Sequence, residues 1–429
     1  MLVLLALFAT AQVPSPPTPD CGPDDPAACP PDWGAREHFS WVPNNAVETV
    51  RAAELELGAG ISLDRAFRYT LGRWDTPVAV LDSGIEWRSH RLHQKILLNA
   101  AELPTPLDAD GLPVEDLDGN GVFNVLDYAE DARVSRDAGH DSADDHLDPS
   151  DLIAVFSDGV DDDGNGYVDD IAGWDFFGDD NDPYAAIDSH FASHGTSMMK
   201  DIGDGAGDGG GLGVCPNCPI LPLRAGDTFI VDGDKVSAAI AYAVERGAVS
   251  ISMSLGSLTQ PEATRAAVRE ALASDVVLTA AGGDENGYHH NVPGLAGDIL
   301  YVKSVTSDAR SGPPYSYMNT WNCNNFGPRL DLSASSSQCA SGATSFTAGS
   351  AALLIAAGRD AGVELSGDEV RALLRGTVDD VYLTPEEQLI AETYPSLPGW
   401  DAFFGYGRLN IGRAVETVFA GEVPPEVRI

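Results

Sequence analysis

Val78-Ala79-Val80-Leu81-Asp82-Ser83-Gly84-Ile85 is a short apolar run that stops on a carboxylate and a Ser-Gly turn. Four consecutive apolar residues bounded by turn residues read as a strand buried on both faces. Strands of that kind belong to parallel sheets covered by helices on both sides. Asp82 then stands at the C-terminal end of its strand, the edge where open α/β sheets place their sites.

Working outward, the same unit recurs. Ile220-Leu221-Pro222-Leu223-Arg224 is strand-like, as are Val249 to Met253, Val276 to Thr279 and Ile299 to Val305. Between and after them lie helical patterns: Asp234 to Arg246 with an acidic start, Pro261 to Ala273, Ala348 to Gly358, and Leu409 to Phe419. Val50 to Phe67 also reads as helical. Strands separated by helices of this length imply right-handed crossovers. The expected fold class is α/β, a three-layer sandwich with a mostly parallel central sheet and helices on both faces.

The remaining text delimits that domain, expected at 51–420. Residues 1–11 carry an apolar run, Leu2 to Ala9, followed by Ala9-Thr10-Ala11, the pattern of a cleaved signal peptide. Residues 12–50 are a Pro-rich N-terminal segment, 101–188 an Asp-, Gly- and Asn-rich insertion, and 421–429 a tail. An export signal beside six cysteines implies a secreted, extracellular protein with disulfides. Proximity suggests the pairs Cys21–Cys29, Cys215–Cys218 and Cys323–Cys339. No second CxxC and no His pair at finger spacing accompanies Cys215-Pro216-Asn217-Cys218, so a bridge is preferred to zinc.

The 429 residues hold 66 acidic against 25 basic side chains, a formal net charge of −41. That balance argues against nucleic acid or an anionic membrane as partner, since both need clustered Lys and Arg. A soluble, self-repelling monomer is expected.

Three segments carry chemistry. Asp82 supplies a carboxylate, and Ser193-His194-Gly195-Thr196 supplies an imidazole next to a Gly that permits close approach. Cys339-Ala340-Ser341-Gly342-Ala343-Thr344-Ser345-Phe346-Thr347-Ala348-Gly349 offers hydroxyls at the start of a helix, where the dipole favours charge developing on an attacked carbonyl. In the order Asp, His, Ser, these segments resemble the subtilisin-like (subtilase) serine proteases over roughly Ala53 to Val418. Ile251-Ser252-Met253-Ser254-Leu255-Gly256, Ala280 to Glu285, and Phe404-Gly405-Tyr406-Gly407-Arg408-Leu409-Asn410 add to the likeness.

The resemblance implies an endopeptidase acting on polypeptides through an acyl-enzyme. Asp82 would orient His194, His194 would be base and then acid, and a serine would be the nucleophile. Substrate would lie as an extended strand against Ser254, Leu255 and Gly256, with Ala281, Gly282 and Gly283 opposite. Two serines compete for the nucleophile. Ser345 follows a Thr, as in the family, but puts Leu353 where a helix-packing Gly is usual. Ser341 keeps Ala348-Gly349 in register and is favoured. Asp284 falls where the family has an oxyanion Asn, and an ionised carboxylate cannot donate to an oxyanion. That departure keeps open a second reading, a catalytically impaired binding or structural module. His289 and His290 are read as rim residues.

Two loops in the insertion have calcium-like spacing. Asp116, Asp118, Asn120, Val122 (through its carbonyl), Asn124 and Asp127 occupy loop positions 1, 3, 5, 7, 9 and 12, with Gly121 at 6. Asp161, Asp163, Asn165, Tyr167 and Asp169 repeat the theme. Structural Ca2+ is the expected cofactor. A solvated acidic loop is the alternative.

Overall fold

The computed structural model describes residues 41–43, 55–57, 60–140, 146–185, 191–205, 212–285, 287–288, 290–305, 324–336, 339–382 and 396–425. The signal peptide, most of the Pro-rich segment, Cys21, Cys29, Cys323 and His289 lie outside these residues. Strands are β1 (Trp41–Pro43), β2 (Leu55–Leu57), β3 (Val78–Asp82), β4 (Trp174–Asp175), β5 (Ile220–Arg224), β6 (Ser250–Met253), β7 (Val277–Ala281), β8 (Leu300–Val305) and β9 (Leu332–Ser335). Helices are α1 (Leu63–Ala66), α2 (His90–His93), α3 (Pro149–Phe156), α4 (Ala192–Gly203), α5 (Gly233–Glu245), α6 (Glu262–Ala273), α7 (Cys339–Asp360), α8 (Gly367–Gly376) and α9 (Ile411–Phe419).

The main sheet runs β4-β5-β3-β6-β7-β8-β9, and every neighbouring pair is parallel. Side chains of β3 alternate between two cores, as period-two geometry requires. Val78 and Val80 pack with α4, α7 and α9, whereas Ala79 and Leu81 pack with α5 and α6. The expected three layers are therefore present. From β3 the chain goes out to β4 and β5 on one side, then returns to begin β6 on the other. That reversal opens a crevice at the C-terminal ends of β3 and β6.

Two expectations need correction. Val50 to Phe67 is not one helix: Leu55–Leu57 pairs antiparallel with Trp41–Pro43, and the helical turn is confined to Leu63–Ala66. Gly58 and Gly60 interrupt the run, and Gly costs a helix about 1 kcal/mol against Ala. Conversely, α7 starts nine residues before Ala348, at Cys339, which sits in the left-handed region with φ 53°. From Ala340 to Gly349 it is Ala, Gly, Ser and Thr apart from Phe346, buried all round, and Thr344 and Thr347 donate their hydroxyls to carbonyls one turn back. Small residues let α7 run close under the sheet. It is the one described helix long and apolar enough to cross a bilayer, and 94% of its apolar window is buried within the protein.

The acidic insertion joins the sheet through edge strand β4 and then clamps the chain just beyond Asp82. Ile85 donates to the Pro183 carbonyl (2.9 Å) and accepts from the Ala185 N–H (2.8 Å), and the Trp87 indole donates to Asp182 (2.8 Å). Cys215 and Cys218 form the expected disulfide, with Cα atoms 5.3 Å apart. Cys339 is also disulfide-bonded.

Candidate active site

Asp82 ends β3 as a buried carboxylate, and its Oδ1 lies 2.6 Å from His194 Nδ1. The same oxygen accepts the Ser83 N–H at 2.7 Å, which fixes its rotamer. His194 stands in the first turn of α4, brought there by two small contacts. A Cβ on Gly195 would collide with the Gly84 carbonyl, so only Gly allows α4 this close to β3. The Ser83 hydroxyl bridges the two segments, donating to the Phe191 carbonyl (2.8 Å) and accepting from the Gly195 N–H (3.0 Å). Burial pushes the imidazole towards its neutral form, but the charge and hydrogen bond of Asp82 and the charge of Asp284 outweigh it. The pKa of His194 therefore lies above its ordinary value.

Ser341 is the third residue of α7, in the turn whose N–H groups have no intrahelical partner. Its carbonyl accepts the Ser254 hydroxyl at 3.0 Å, which ties the start of α7 to the strand leaving β6. Ser345 lies one turn deeper and is fully buried. Its hydroxyl points to the Met198 sulfur (3.0 Å) and the Ser341 carbonyl (3.2 Å), inside the α4–α7 packing. Gly349 meets Val214 and Ile202 so closely that an added Cβ would sit 3.1 Å from Val214. Close helix packing thus falls at the Gly349 position that the Ser341 register requires.

Asp284 follows β7 and joins the same cluster. Its Oδ1 accepts the Ala340 N–H at 3.1 Å, so a carboxylate sits on the N-terminus of α7. Asp284 keeps substantial solvent access. Partial desolvation by the crowded surroundings still raises its pKa above the ordinary value. The Ala340 N–H and His194 oppose that shift, and Glu285 adds to it.

Ser254 and Leu255 are buried and Gly256 is half-buried along the crevice wall. On the other side, Ala281 ends β7, Gly282 donates to the Val302 carbonyl (2.7 Å), and Gly283 adopts φ 92°. His290 packs edge-on against Tyr301, with ring centroids 5.3 Å apart, on the strand-side flank of this wall.

In the first loop of the insertion, carboxylate oxygens of Asp116, Asp118 and Asp127 converge within 4.8 Å. Asn120 accepts the Val122 N–H and Asn124 accepts that of Leu126, while buried Asp127 holds Leu117 and Asn124. Burial first, then the charges of Asp118 and Asp116, raise the pKa of Asp127 against two opposing backbone N–H groups.

The second loop differs from its expected ligand set. Glu102, Asp163 and Asp170 converge within 4.8 Å. Asp169 has φ 56°, which turns its carboxylate to the N–H groups of Asp158 and Gly159, and Asp161 accepts those of Gly164, Asn165 and Gly166, as Asp116 accepts those of Asn120 and Gly121 in the first loop. Asn165 contributes its amide, donating to Asp163 (3.1 Å) and Asp170 (3.0 Å), and its carbonyl holds the Tyr167 N–H. Glu102 is buried, and its Oε2 has no hydrogen-bond partner. Arg246, 3.7 Å from Asp163, and the Tyr242 hydroxyl on Asp170 offset part of the charge. An orphaned carboxylate oxygen beside two further carboxylates fits a divalent cation with oxygen ligands.

A family model described as the subtilase family matches residues 75–407. The halolysin-like extracellular serine protease Nep of Natrialba magadii is 28% identical over 256 residues, 57% of this chain and 42% of Nep. The cell wall-associated protease of Bacillus subtilis (strain 168) is 29% identical over 292 residues, 62% of this chain and 30% of that protein. This chain thus spans less than half the length of either relative. Among solved structures, the prenylagaramide maturation protease PagA superposes with a TM-score of 0.50 at 19% identity, covering 83% of this chain and 98% of PagA, a likeness of fold alone. With a match running from just before β3 to the turn ahead of α9, the chain belongs to the subtilase family.

Proposed function

We propose that the chain is a serine endopeptidase whose triad is Asp82, His194 and Ser341. The observation that carries this reading is the Asp82–His194 hydrogen bond at the sheet's switch point, beside Asp284, whose carboxylate holds the Ala340 N–H in the first turn of α7. Ser341 Oγ attacks the scissile carbonyl carbon, and His194 Nε2 takes the hydroxyl proton. Asp82 holds the Nδ1–H and supports the imidazolium. His194 then protonates the leaving amine, and water, activated by the same imidazole, releases the acyl group. The Ser341 N–H at the helix start offers one oxyanion donor. Asp284 offers a second only when protonated, a state its raised pKa favours. Substrate runs between Ser254–Gly256 and Ala281–Gly283.

Structural calcium is part of the same proposal. Asp116, Asp118 and Asp127 with the Val122 carbonyl would hold one ion, and Glu102, Asp163 and Asp170 a second. Bound there, calcium neutralises carboxylates that otherwise repel one another. It takes no part in the acyl chemistry. We also propose export, on the apolar run Leu2 to Ala9, the Ala9-Thr10-Ala11 signal and the disulfides. The names of relatives divide on this point, since the major intracellular serine protease of Bacillus subtilis is 32% identical over 143 residues.

One observation supports the impaired-module reading: the Asp284 carboxylate caps the helix end that should greet an oxyanion. Hydrolysis of an unfolded polypeptide by the native chain, lost in Ser341→Ala with unchanged melting, supports the peptidase. Equal behaviour of the two proteins leaves the binding module.

A further inference from the structure

The groove edge that a substrate strand needs is already occupied by the chain itself. Gly256 donates its N–H to the Phe229 carbonyl (2.7 Å), and its carbonyl accepts the Val231 N–H (2.9 Å). Ile230 and Gly256 thereby form a parallel bridge. Backbone groups of alternate residues in a strand face the same edge, so the edge shared by Ser254 and Gly256 is the one closed at Gly256. A peptide strand cannot use both Gly256 groups while this pairing persists.

The covering segment is built to hold that position and to stop there. The outward N–H and carbonyl of Ile230 would present a fresh sheet edge. The Thr228 hydroxyl takes both, accepting from the Ile230 N–H (3.3 Å) and donating to its carbonyl (2.8 Å). Next to it, the Phe229 ring lies edge-on to His194, with centroids 4.7 Å apart, and packs on Phe191 at 4.2 Å. Phe229 and Ile230 nevertheless remain exposed at 39% and 58%, so apart from Val231, buried in the core at its end, little apolar burial secures the segment against displacement.

We infer that Thr228–Val231 is an internal strand that closes the substrate groove and must be displaced by a polypeptide before it reaches Ser341. The inference rests on the peptidase reading. Closure selects for substrates long enough to replace two backbone hydrogen bonds and the Phe229 contact with their own. A short ester that touches only Ser341 and His194 does not need the displacement. Apparent affinity for a long substrate is reduced by the fraction of open chain.

The test uses the full chain and Thr228→Val, an exposed isosteric change that removes only the hydroxyl lock. Two substrates are compared: a peptide anilide with four residues before the scissile bond and an N-acetylated single-residue ester. The rate of Ser341 labelling by a fluorophosphonate is followed in parallel. The variant should lower KM for the four-residue substrate about ten-fold, as expected for losing one or two net hydrogen bonds that stabilise closure. Its kcat, the ester kinetics and the labelling rate should stay as in the native chain. Intact labelling with an unchanged KM for the long substrate overturns the inference, as does an equal fall in KM for both substrates. If the native chain is not labelled, it is the peptidase reading that fails. Hydrogen exchange at the Gly256 amide still reads the strand in that case. Slow exchange in the native chain and about ten-fold faster exchange in Thr228→Val support closure, and equal exchange refutes it.

Discussion

Replacing Asp284 with Asn changes one oxygen for an amide and should make the protein faster at neutral and alkaline pH. In the native chain the carboxylate holds the Ala340 N–H at 3.1 Å, beside the helix start where a tetrahedral oxyanion would form. Ionised, it repels that oxyanion and donates nothing. Loss of one such donor costs about 10²–10³ in turnover, a general range whose type case is a subtilisin. Asp284 is solvent-accessible, so water screens part of the repulsion and the gain falls below that range. We expect a gain of about ten-fold, or ~1.4 kcal/mol of barrier. The pH dependence carries a sign. The carboxyl pKa is raised, so native Asp284 gains its proton at a higher pH than an ordinary Asp and can then donate. The Asn advantage is therefore full well above that pKa and shrinks as pH falls through it. Both proteins also lose rate on the acid side as His194 protonates, and in the native chain that limb lies above the ordinary value of 6.5, because against burial Asp82 and Asp284 raise it. The assay is kcat/KM on one peptide substrate across pH for both proteins. Equal rates at every pH would refute the reasoning and place oxyanion stabilisation on the backbone N–H groups of α7 alone.

Other expectations follow from the same geometry. Ser341→Ala should abolish hydrolysis, while Ser345→Ala, whose hydroxyl faces Met198, should retain a measurable rate. Gly195→Ala forces a Cβ against the Gly84 carbonyl; it should cost about 1–3 kcal/mol in chemical denaturation and lower kcat by separating His194 from Asp82. Calcium should raise the melting temperature, with ~2.7 kcal/mol gained at 100-fold excess over Kd, and Glu102→Gln should weaken that response more than Asp169→Asn. Lys303 is fully buried with its ammonium 4.0 Å from the Phe403 ring, and burial lowers its pKa to about 7, against a small opposing pull from Asp401. Between about 7 and the unfolded value of 10.5 the unfolded chain binds the extra proton, so stability rises with pH across that window. Lys303→Met should therefore stabilise by at least ~1 kcal/mol at pH 6 and progressively less towards pH 10, read by urea denaturation.

Much of the scaffold was legible because burial on both faces leaves an unmistakable trace. Val78 to Leu81 has no polar residue, and that alone places Asp82 on the C-terminal edge of a parallel sheet. The first half of α7 was legible only as a hydroxyl-bearing helix start and not from periodicity: Ala340 to Gly349 is buried all round, so it has no amphipathic period to detect. The Val50 to Phe67 run erred in the opposite direction, since its apolar spacing mimics a helix that Gly58 and Gly60 disfavour. Counting positions within one loop also selected Asp169 over Asp170, because a φ of 56° at Asp169 reverses which carboxylate faces the cluster. Glu102 was invisible to that counting. It stands at the start of the insertion, about 60 residues before the loop, and only the fold brings it to Asp163. The pairing of Phe229 and Val231 with Gly256 is likewise a contact between distant segments that no local pattern encodes.

The central claim is that Asp82, His194 and Ser341 form a working nucleophilic centre. It is tested most directly by treating the native chain, and His194→Ala beside it, with a fluorophosphonate and locating the adduct by peptide mass spectrometry. The account expects a single adduct on Ser341 in the native chain, at a rate that falls at least 100-fold without the imidazole. No adduct on the native chain, an adduct on Ser345, or labelling that ignores the loss of His194 would contradict it.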